Sequence, residues 1–137
     1  MIRFATVEQH QIDDYWPAIG PWLVMGSECE GDVWEAFADV EAGRARVWVI
    51  LDDATVVGAF LTSVIDNGEA LDVYGLGGRG ILKWGKPLTD AMIEVGKANG
   101  CDRVVFKGRK ALKRVYPDIR EAGQDGPNLY RYERALA

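Results

Sequence analysis

Four glycines between residues 75 and 80 stand directly before a segment in which apolar residues recur at helical spacing. Glycine permits positive φ and a close approach of the backbone to an anion, and a helix N-terminus offers free amides to negative charge. Arg79 and Lys83 add side chains that can pair with phosphate oxygens. The pattern predicts an anion-binding turn from a strand into a helix; a turn that only reverses the chain is the alternative.

The charge distribution agrees with a phosphorylated ligand near these glycines. The net charge is −5, yet residues 1–70 carry 3 Lys+Arg against 13 Asp+Glu, and residues 71–137 carry 13 against 8, which gives nets of −10 and +5. Such an asymmetry steers a polyanion to the C-terminal half. Solvated helix faces that differ in the sign of their charge would produce the same asymmetry without any ligand. Nucleic acid is not expected, because the chain is acidic and no basic cluster alternates with aromatic residues.

Length and composition favour a single domain over residues 1–137, since 48% hydrophobic content is enough to fill one core. No stretch approaches the ~20 consecutive apolar residues of a membrane span, and no secretory signal is evident. Cys29 and Cys101 lie far apart without CxxC spacing, so neither a disulfide framework nor a metal site is indicated. We therefore expect a cytoplasmic protein without membrane contact.

The N-terminal part predicts one strand followed by two helices. Residues 2–5 predict a short strand, and Thr6 with Gln9 resembles a capping box that opens a helix. Two prolines and a glycine between residues 17 and 21 should kink or end that helix. A second helix is predicted over residues 32–42, where a glycine follows.

Three strands in an antiparallel meander are predicted next. The segments 46–51 and 56–65 are rich in β-branched and aromatic residues, and a short acidic turn joins them. A second turn at residues 66–68 leads into a strand over 70–76.

The C-terminal half predicts alternating helices and strands. A helix with apolar spacing begins near Trp84 and has a C-cap at Gly100. The strand 103–107 follows by a tight turn, as a parallel neighbour of the preceding strand does. A short helix over 111–115 and a last strand over 128–136 complete the order.

This order of elements resembles the fold of the GCN5-related N-acetyltransferases (GNATs), which implies an α/β (α+β) domain with a mixed, mostly antiparallel sheet flanked by helices. The resemblance covers nearly the whole chain and is most specific over residues 77–123, from GGRGILKW to NGCDRVVFKGRKALKRVYPDIREAG. The double glycine before a basic residue, the tryptophan opening the helix, the Gly-Cys pair closing it and the Gly-Arg pair ending the next strand are similar to phage-encoded members. The resemblance implies a divergent phage protein, located in the host cytoplasm or in the virion.

In that family a glycine-rich loop at a helix N-terminus binds the pyrophosphate of acetyl-CoA, and the glycine turn here corresponds to it. The spacing departs from the family pattern Arg/Gln-x-x-Gly-x-Gly/Ala, and Pro87 falls where the helix should already be running. The basic run 107–114 lies where the resemblance implies the adenosine phosphate, although a solvated helix face would explain it as well. The implied cofactor-binding residues are Leu76, Gly77, Gly78, Arg79, Gly80, Ile81, Arg109 and Lys110.

Acetyl transfer to an amine also needs an acid for the departing thiolate and a base for the amine. Family enzymes often use a tyrosine on the short helix after the fifth strand, and Tyr116 stands in that register, unless it only packs under Pro117. Asp72, on the strand before the glycines, and Glu69, at its start, are the carboxylates nearest the implied acceptor position. The resemblance therefore implies Tyr116, Asp72 and Glu69 as catalytic candidates.

Two classes of function remain open from the sequence. The first is an acetyl-CoA-dependent N-acetyltransferase of phage type that modifies an amine of a protein or small molecule. The second is a non-catalytic phage protein that keeps the fold as a virion or genome-delivery component or as a binder of a host factor. Self-association through the edge of the C-terminal strand, where Tyr130 and Tyr132 share a face, is compatible with both.

Overall fold

The computed structural model of the chain describes residues 1–28, 38–108, 120–126 and 129–136. The α-helices whose bounds lie within these residues are α1 (Ile12–Glu28) and α2 (Ile81–Ala98), and residues 38–41 are also helical. The strands are β1 (Ile2–Val7), β2 (Arg46–Asp52), β3 (Thr55–Ile65), β4 (Ala70–Gly78), β5 (Arg103–Gly108), β6 (Arg120–Gly126) and β7 (Leu129–Ala135). Neither helix of this part of the chain combines the length and apolar composition that a bilayer span requires.

The strands form one sheet in the order β1-β2-β3-β4-β5-β7-β6. The β4 and β5 strands pair in parallel, and the other neighbouring pairs are antiparallel. The parallel pair follows from the helical connection, because α2 returns the chain to the end of the sheet at which β4 began. This architecture confirms the predicted mixed, mostly antiparallel sheet flanked by helices.

Successive side chains along each strand point to opposite faces of the sheet, so the hydrophobic core is divided between the two faces. On one face, which we call the α2 face, Trp84, Leu88 and Met92 of α2 pack with strand residues such as Phe60. On the opposite α1 face, the neighbouring Leu61 packs with residues of α1. The predicted helical spacing of α2 is thus confirmed, since these three side chains are each at most 2% exposed.

The first helix is longer than the sequence indicates. Pro17, Gly20 and Pro21 lie inside α1 and do not end it. A proline in a helix interior costs about 3 kcal/mol, whereas burial of an isoleucine or leucine contributes about 1.5–3 kcal/mol. Ile19 and Leu23 are almost completely buried against the sheet, and Ile12 and Trp22 pack beside them, so that tertiary packing together offsets the cost of the two prolines and overrides the local signal.

The start of this helix also differs from the prediction. The β1 strand continues to Val7, and the 3-10 turn that leads into α1 begins after Glu8, whose amide donates to Oε1 of Gln11 at 3.4 Å. The capping interaction is therefore two residues later than Thr6 and Gln9, because pairing with β2 extends the strand. Of the second predicted helix, residues 38–41 are helical and the rest lies outside the described residues.

The C-terminal strand is not at the edge of the sheet. Strand β6, which the sequence does not predict, pairs with β7 along its outer side, so β7 lies between β5 and β6. Tyr132 and Tyr130 share the α2 face as predicted, and Tyr132 is fully buried there. Both edges of β7 are therefore paired within the chain, and self-association by exchange of the C-terminal strand stays a prediction. The predicted short helix over 111–115 lies outside the described residues.

Candidate functional site

The β4 and β5 strands stop pairing before either of them ends. Their parallel register runs from Ala70 with Arg103 to Val73 with Phe106. Strand β4 then continues for five residues to Gly78, and β5 for two. Since ligands of open sheets with parallel strands bind beyond the carboxyl ends of those strands, this opening is the first candidate site. We call it the wedge.

A β-bulge lies on β4 at the inner end of the wedge. Ala59 of β3 pairs with Gly77, but Leu61 pairs with Tyr74, so β4 has one residue more than its partner over this interval. Gly75 within it has a φ of 62°, a conformation that favours glycine. A bulge changes the direction of the backbone amides, and amides aimed at a carbonyl oxygen stabilise the oxyanion that forms during acyl transfer.

The glycine turn is shorter than the sequence indicates. Only Arg79 and Gly80 lie between β4 and α2, because Leu76, Gly77 and Gly78 are strand residues. Gly80 is the N-cap of α2 with a φ of 74°, and a Cβ there would meet no atom within 4 Å. Its glycine is therefore required by conformation and not by space.

Two hydrogen bonds fix the turn. The Arg79 amide donates to the carbonyl of Val57 at 2.9 Å, and Trp84 Nε1 donates to the carbonyl of Arg79 at 2.7 Å. The first amides of a helix have no acceptor within that helix, and those of Ile81 and Leu82 are in this position. Leu82 is 86% exposed, so the helix N-terminus opens to solvent. The turn thus presents amides and the positive end of the helix dipole to an anion.

Position 78 requires glycine for a different physical reason, which is lack of space. A Cβ on Gly78 would lie 2.9 Å from the carbonyl oxygen of Val57, 3.0 Å from Cα of Gly58 and 3.1 Å from the ring of Trp84. This glycine allows β3, β4 and α2 to approach closely, and its position in the sheet gives it no direct role in the turn.

One of the predicted phosphate-binding cations is already paired. Lys83 Nζ lies 2.6 Å from Oδ2 of Asp52, at the end of β2. This hydrogen bond lowers the pKa of Asp52 and raises the pKa of Lys83. The exposed side chain of Arg79 is therefore the cation of the turn that remains available to an anion, within the described residues.

Asp72 lies at the inner end of the wedge. Its side chain is 7% exposed, and its Oδ2 accepts a hydrogen bond from Lys107 Nζ at 3.1 Å. Lys107 follows Phe106, the last residue of β5 that pairs with β4. The sequence resemblance associated Lys107 with the adenosine phosphate, whereas the structure places it on a buried carboxylate.

Glu69 lies at the opposite end of β4. It immediately precedes Ala70, the first residue of that strand, and its Oε2 is 3.7 Å from Nη1 of Arg103. With a rise of about 3.3 Å per residue, the strand separates Glu69 from the glycine turn by roughly 30 Å. The structure therefore brings Asp72 and the bulge together and leaves Glu69 away from them. Arg109, Lys110 and Tyr116 lie outside the described residues.

The sequence places Gly75 in the glycine turn and Lys107 in the basic run, and it predicts neither the bulge at Gly75 nor the contact of Lys107 with Asp72. A glycine inside a strand pattern indicates a bulge, so Gly75 had a signal that could have been used. Lys107 had none, because only the register of two parallel strands shows that it reaches Asp72.

No family model matches this sequence, and no curated protein matches it. Solved structures do match. An IAA acetyltransferase from Bacillus cereus has a TM-score of 0.72 at 13% identity, with 99% of this chain and 100% of that chain covered. A GNAT family acetyltransferase from Staphylococcus aureus has a TM-score of 0.67 at 18% identity, with both chains covered completely.

A third match has its ligand in place. It is a GNAT family acetyltransferase from Elizabethkingia anophelis with acetyl-CoA bound, at a TM-score of 0.67 and 11% identity, with 98% of each chain covered. At such identities the likeness concerns the fold. The chain therefore has the GNAT fold, as the sequence resemblance predicted, whereas an origin in a phage stays a prediction.

Proposed function

We propose that this protein is an N-acetyltransferase that uses acetyl-CoA and modifies an amine of a protein or small molecule. The observation that carries the proposal is the wedge between β4 and β5, with a bulge at Gly75 in β4 and an open helix N-terminus at Gly80, two residues beyond that strand. Function depends on such a site more than on the fold, but the fold adds support because an acetyl-CoA-bound structure shares it.

The cofactor would extend along the carboxyl-terminal part of β4. Its pyrophosphate fits the first-turn amides of α2, where Arg79 adds a positive charge. Strand geometry puts Gly75 and Gly80 roughly 15 Å apart, so an extended pantetheine arm can join the two places. The thioester carbonyl would then meet the bulge, and the acetyl group would lie at the inner end of the wedge.

The chemistry at this end needs an oxyanion stabiliser and a proton acceptor. A bulge amide supplies the first, since a fixed dipole in a site with little water stabilises developing charge strongly. Asp72 is the buried carboxylate of the described residues, three positions before Gly75, and supplies the second, directly or through a water molecule. The proton for the departing thiolate remains assigned to Tyr116 by the sequence resemblance alone.

Leu82 offers a clean test of the proposed pyrophosphate site. Leu82→Glu places a negative charge at an exposed helix N-terminus, where it favours the helix but repels a pyrophosphate. Leu82→Gln is the matched neutral control. We expect titration calorimetry to show micromolar binding of acetyl-CoA and CoA by the wild type and by Leu82→Gln, and an affinity about ten-fold or more lower for Leu82→Glu.

Gly78→Glu would be a poorer test, because any Cβ at that position meets the backbone of β3. Equal affinity of the Leu82→Glu and Leu82→Gln variants would remove the pyrophosphate from the turn. Absence of wild-type binding at millimolar acetyl-CoA would overturn the transferase and favour the non-catalytic phage protein as the function to test.

A further inference from the structure

Lys107 and Asp72 form a partly buried pair of an amine and a carboxylate. Lys107 Nζ lies 3.1 Å from Asp72 Oδ2, and the two side chains are 28% and 7% exposed. Leu71 and Val73 face α2, so Asp72 between them faces α1, and Lys107 meets it on that side. The contact joins β4 to β5 on the α1 face, next to the point where their pairing ends.

The strand register places this amine beside the bulge. Val73 pairs with Phe106, so one further step of the same register puts Lys107 beside Tyr74, the residue that precedes Gly75. Paired strands are about 4.8 Å apart, and the strands begin to separate only at this step. The backbone of Lys107 is therefore at the inner end of the wedge, and its Nζ reaches back to Asp72, two residues before Tyr74, next to the place where the thioester carbonyl would be held.

The other lysines of the described residues lie elsewhere. Lys83 is paired with Asp52 beside the glycine turn, Lys86 is on the exposed side of α2, and Lys97 is in the last turn of α2. Lys97 has a neighbouring carboxylate, but its side chain is 53% exposed and Glu94 is 3.7 Å away. Lys107 differs from all three because a largely buried carboxylate holds its amine inside the wedge.

We propose that Lys107 is an acceptor of the acetyl group, so that the protein acetylates its own Lys107 from acetyl-CoA bound in the wedge. This inference rests on the proposed function, since it needs acetyl-CoA at that place. It adds a modification site and a defined first acceptor to a site whose external acceptor is unknown.

The reaction balances with the residues present. As Lys107 gives up a proton to Asp72, its Nζ attacks the thioester carbonyl and the new C–N bond forms. The C–S bond then breaks, and that proton passes from the carboxyl group to the departing thiolate, which gives CoA with a free thiol. Because Lys107 starts as an ammonium, its nitrogen loses a second proton as the amide forms, and this proton leaves through the Asp72 carboxylate to solvent. The product is N-acetyl-lysine, and no oxidant, metal or further reactant is required.

Acetylation would also change the protein. The product amide is neutral, so Asp72 would lose the positive charge beside it while staying almost buried. A buried carboxylate without its counter-charge destabilises the fold around it. We therefore expect the acetylated protein to unfold at a lower temperature, with the loss centred where β4 and β5 part.

The test uses the purified full chain with acetyl-CoA, followed over time by intact mass and by peptide mapping. We expect Lys107 to gain one acetyl group at least about ten-fold faster than Lys97, because the cofactor holds the thioester against one amine only. The rate per molecule should not depend on protein concentration. Lys107→Arg keeps a cation on Asp72 but cannot form the product, and Asp72→Asn removes the proton acceptor and should slow the reaction.

Other results would overturn the inference. Acetylation of Lys107 no faster than that of Lys97, or equally fast in the urea-unfolded chain, would mean that only ordinary chemical acetylation takes place. If acetyl-CoA binds with the predicted dependence on Leu82 while Lys107 stays unmodified, this inference fails and the proposed function stands. If acetyl-CoA does not bind, both fail. The measurement on the wild type tests the inference even if the Asp72→Asn variant does not fold.

Discussion

The parallel pairing of β4 with β5 ends differently at the two ends of β4. At the amino end, Arg103 contacts three carboxylates, those of Asp66, Glu69 and Asp102. The Glu69 carbonyl also accepts the amide of Asp102 at 2.8 Å. The hydrogen bond with Asp102 raises the pKa of Arg103 further above its high ordinary value. Backbone and side chains thus close this end.

At the carboxyl end the same two strands part, and a bulge and a helix N-terminus take the place of further pairing. The charged contact on this side, Asp72 with Lys107, lies inside the sheet instead of at its rim. The comparison shows that charge alone does not indicate a site. The carboxylates at the amino end of β4 are paired with Arg103, whereas the carboxyl end of β4 leaves backbone groups available for a ligand.

The largest expected effect separates the two kinds of glycine at the open end. Gly78→Ala introduces a Cβ within 3.1 Å of β3 backbone and of the Trp84 ring, so overpacking should lower the free energy of unfolding by about 2–3 kcal/mol. Gly80→Ala meets no atom but must keep a φ of 74°, which should cost about 1 kcal/mol. Urea unfolding of both variants measures the difference. A larger loss for Gly80→Ala would show that conformation matters more than space at this end.

These two glycines also show which parts of the structure can be predicted from the sequence. The glycine cluster and the helical spacing after it place the change from strand to helix to within three residues at each side, because φ preferences and amphipathic period are local properties. Which glycine stands in the turn is not local. Gly78 belongs to β4 because it pairs with Gly58 of β3, a residue 20 positions earlier in the chain.

The other differences have the same origin. Strand β6 has the sequence REAGQDG, which lacks β-branched and aromatic residues, and it is a strand because β7 supplies its partners. Within the candidate site, Asp72 was accessible to sequence reasoning as a carboxylate on a strand, whereas its contact with Lys107 was not. That contact depends on the parallel register, which no pattern of residue types determines.

The closed end should protect a thiol. Cys101, just before β5, is 8% exposed, and burial raises its pKa, so less thiolate is present at pH 8 than for an exposed cysteine. In a Cys29→Ser background, we expect Cys101 to react with an aromatic disulfide reagent about ten-fold or more slowly than in the urea-unfolded chain. Arg103→Met should raise the native rate by loosening this end. Rapid reaction of the native thiol would show that the amino end opens readily.

The smallest expected effect concerns Asp52 and Lys83 beside the glycine turn. The pKa of Asp52 is lowered in the folded chain, so its contribution is present above the carboxyl's ordinary value of about 4 and is lost as pH falls further. The pKa of Lys83 is raised, so its contribution is present below about 10.4 and is lost as pH rises through the folded pKa.

Asp52 Oδ1 also lies 3.6 Å from the amino group of Met1, whose pKa is raised above its ordinary value. The stability difference between wild type and Asp52→Asn should therefore be flat at neutral pH, shrink in acid as Asp52 is protonated, and shrink in alkali first as the Met1 amino group and then as Lys83 loses its charge, which thermal unfolding from acid to alkaline pH measures. The same variant releases Lys83 to a phosphate, so acetyl-CoA should bind more tightly to Asp52→Asn at low salt, and the gain should disappear as salt is added. Unchanged affinity at low salt would mean that Lys83 does not reach the ligand, and the turn would then depend on its backbone amides and Arg79.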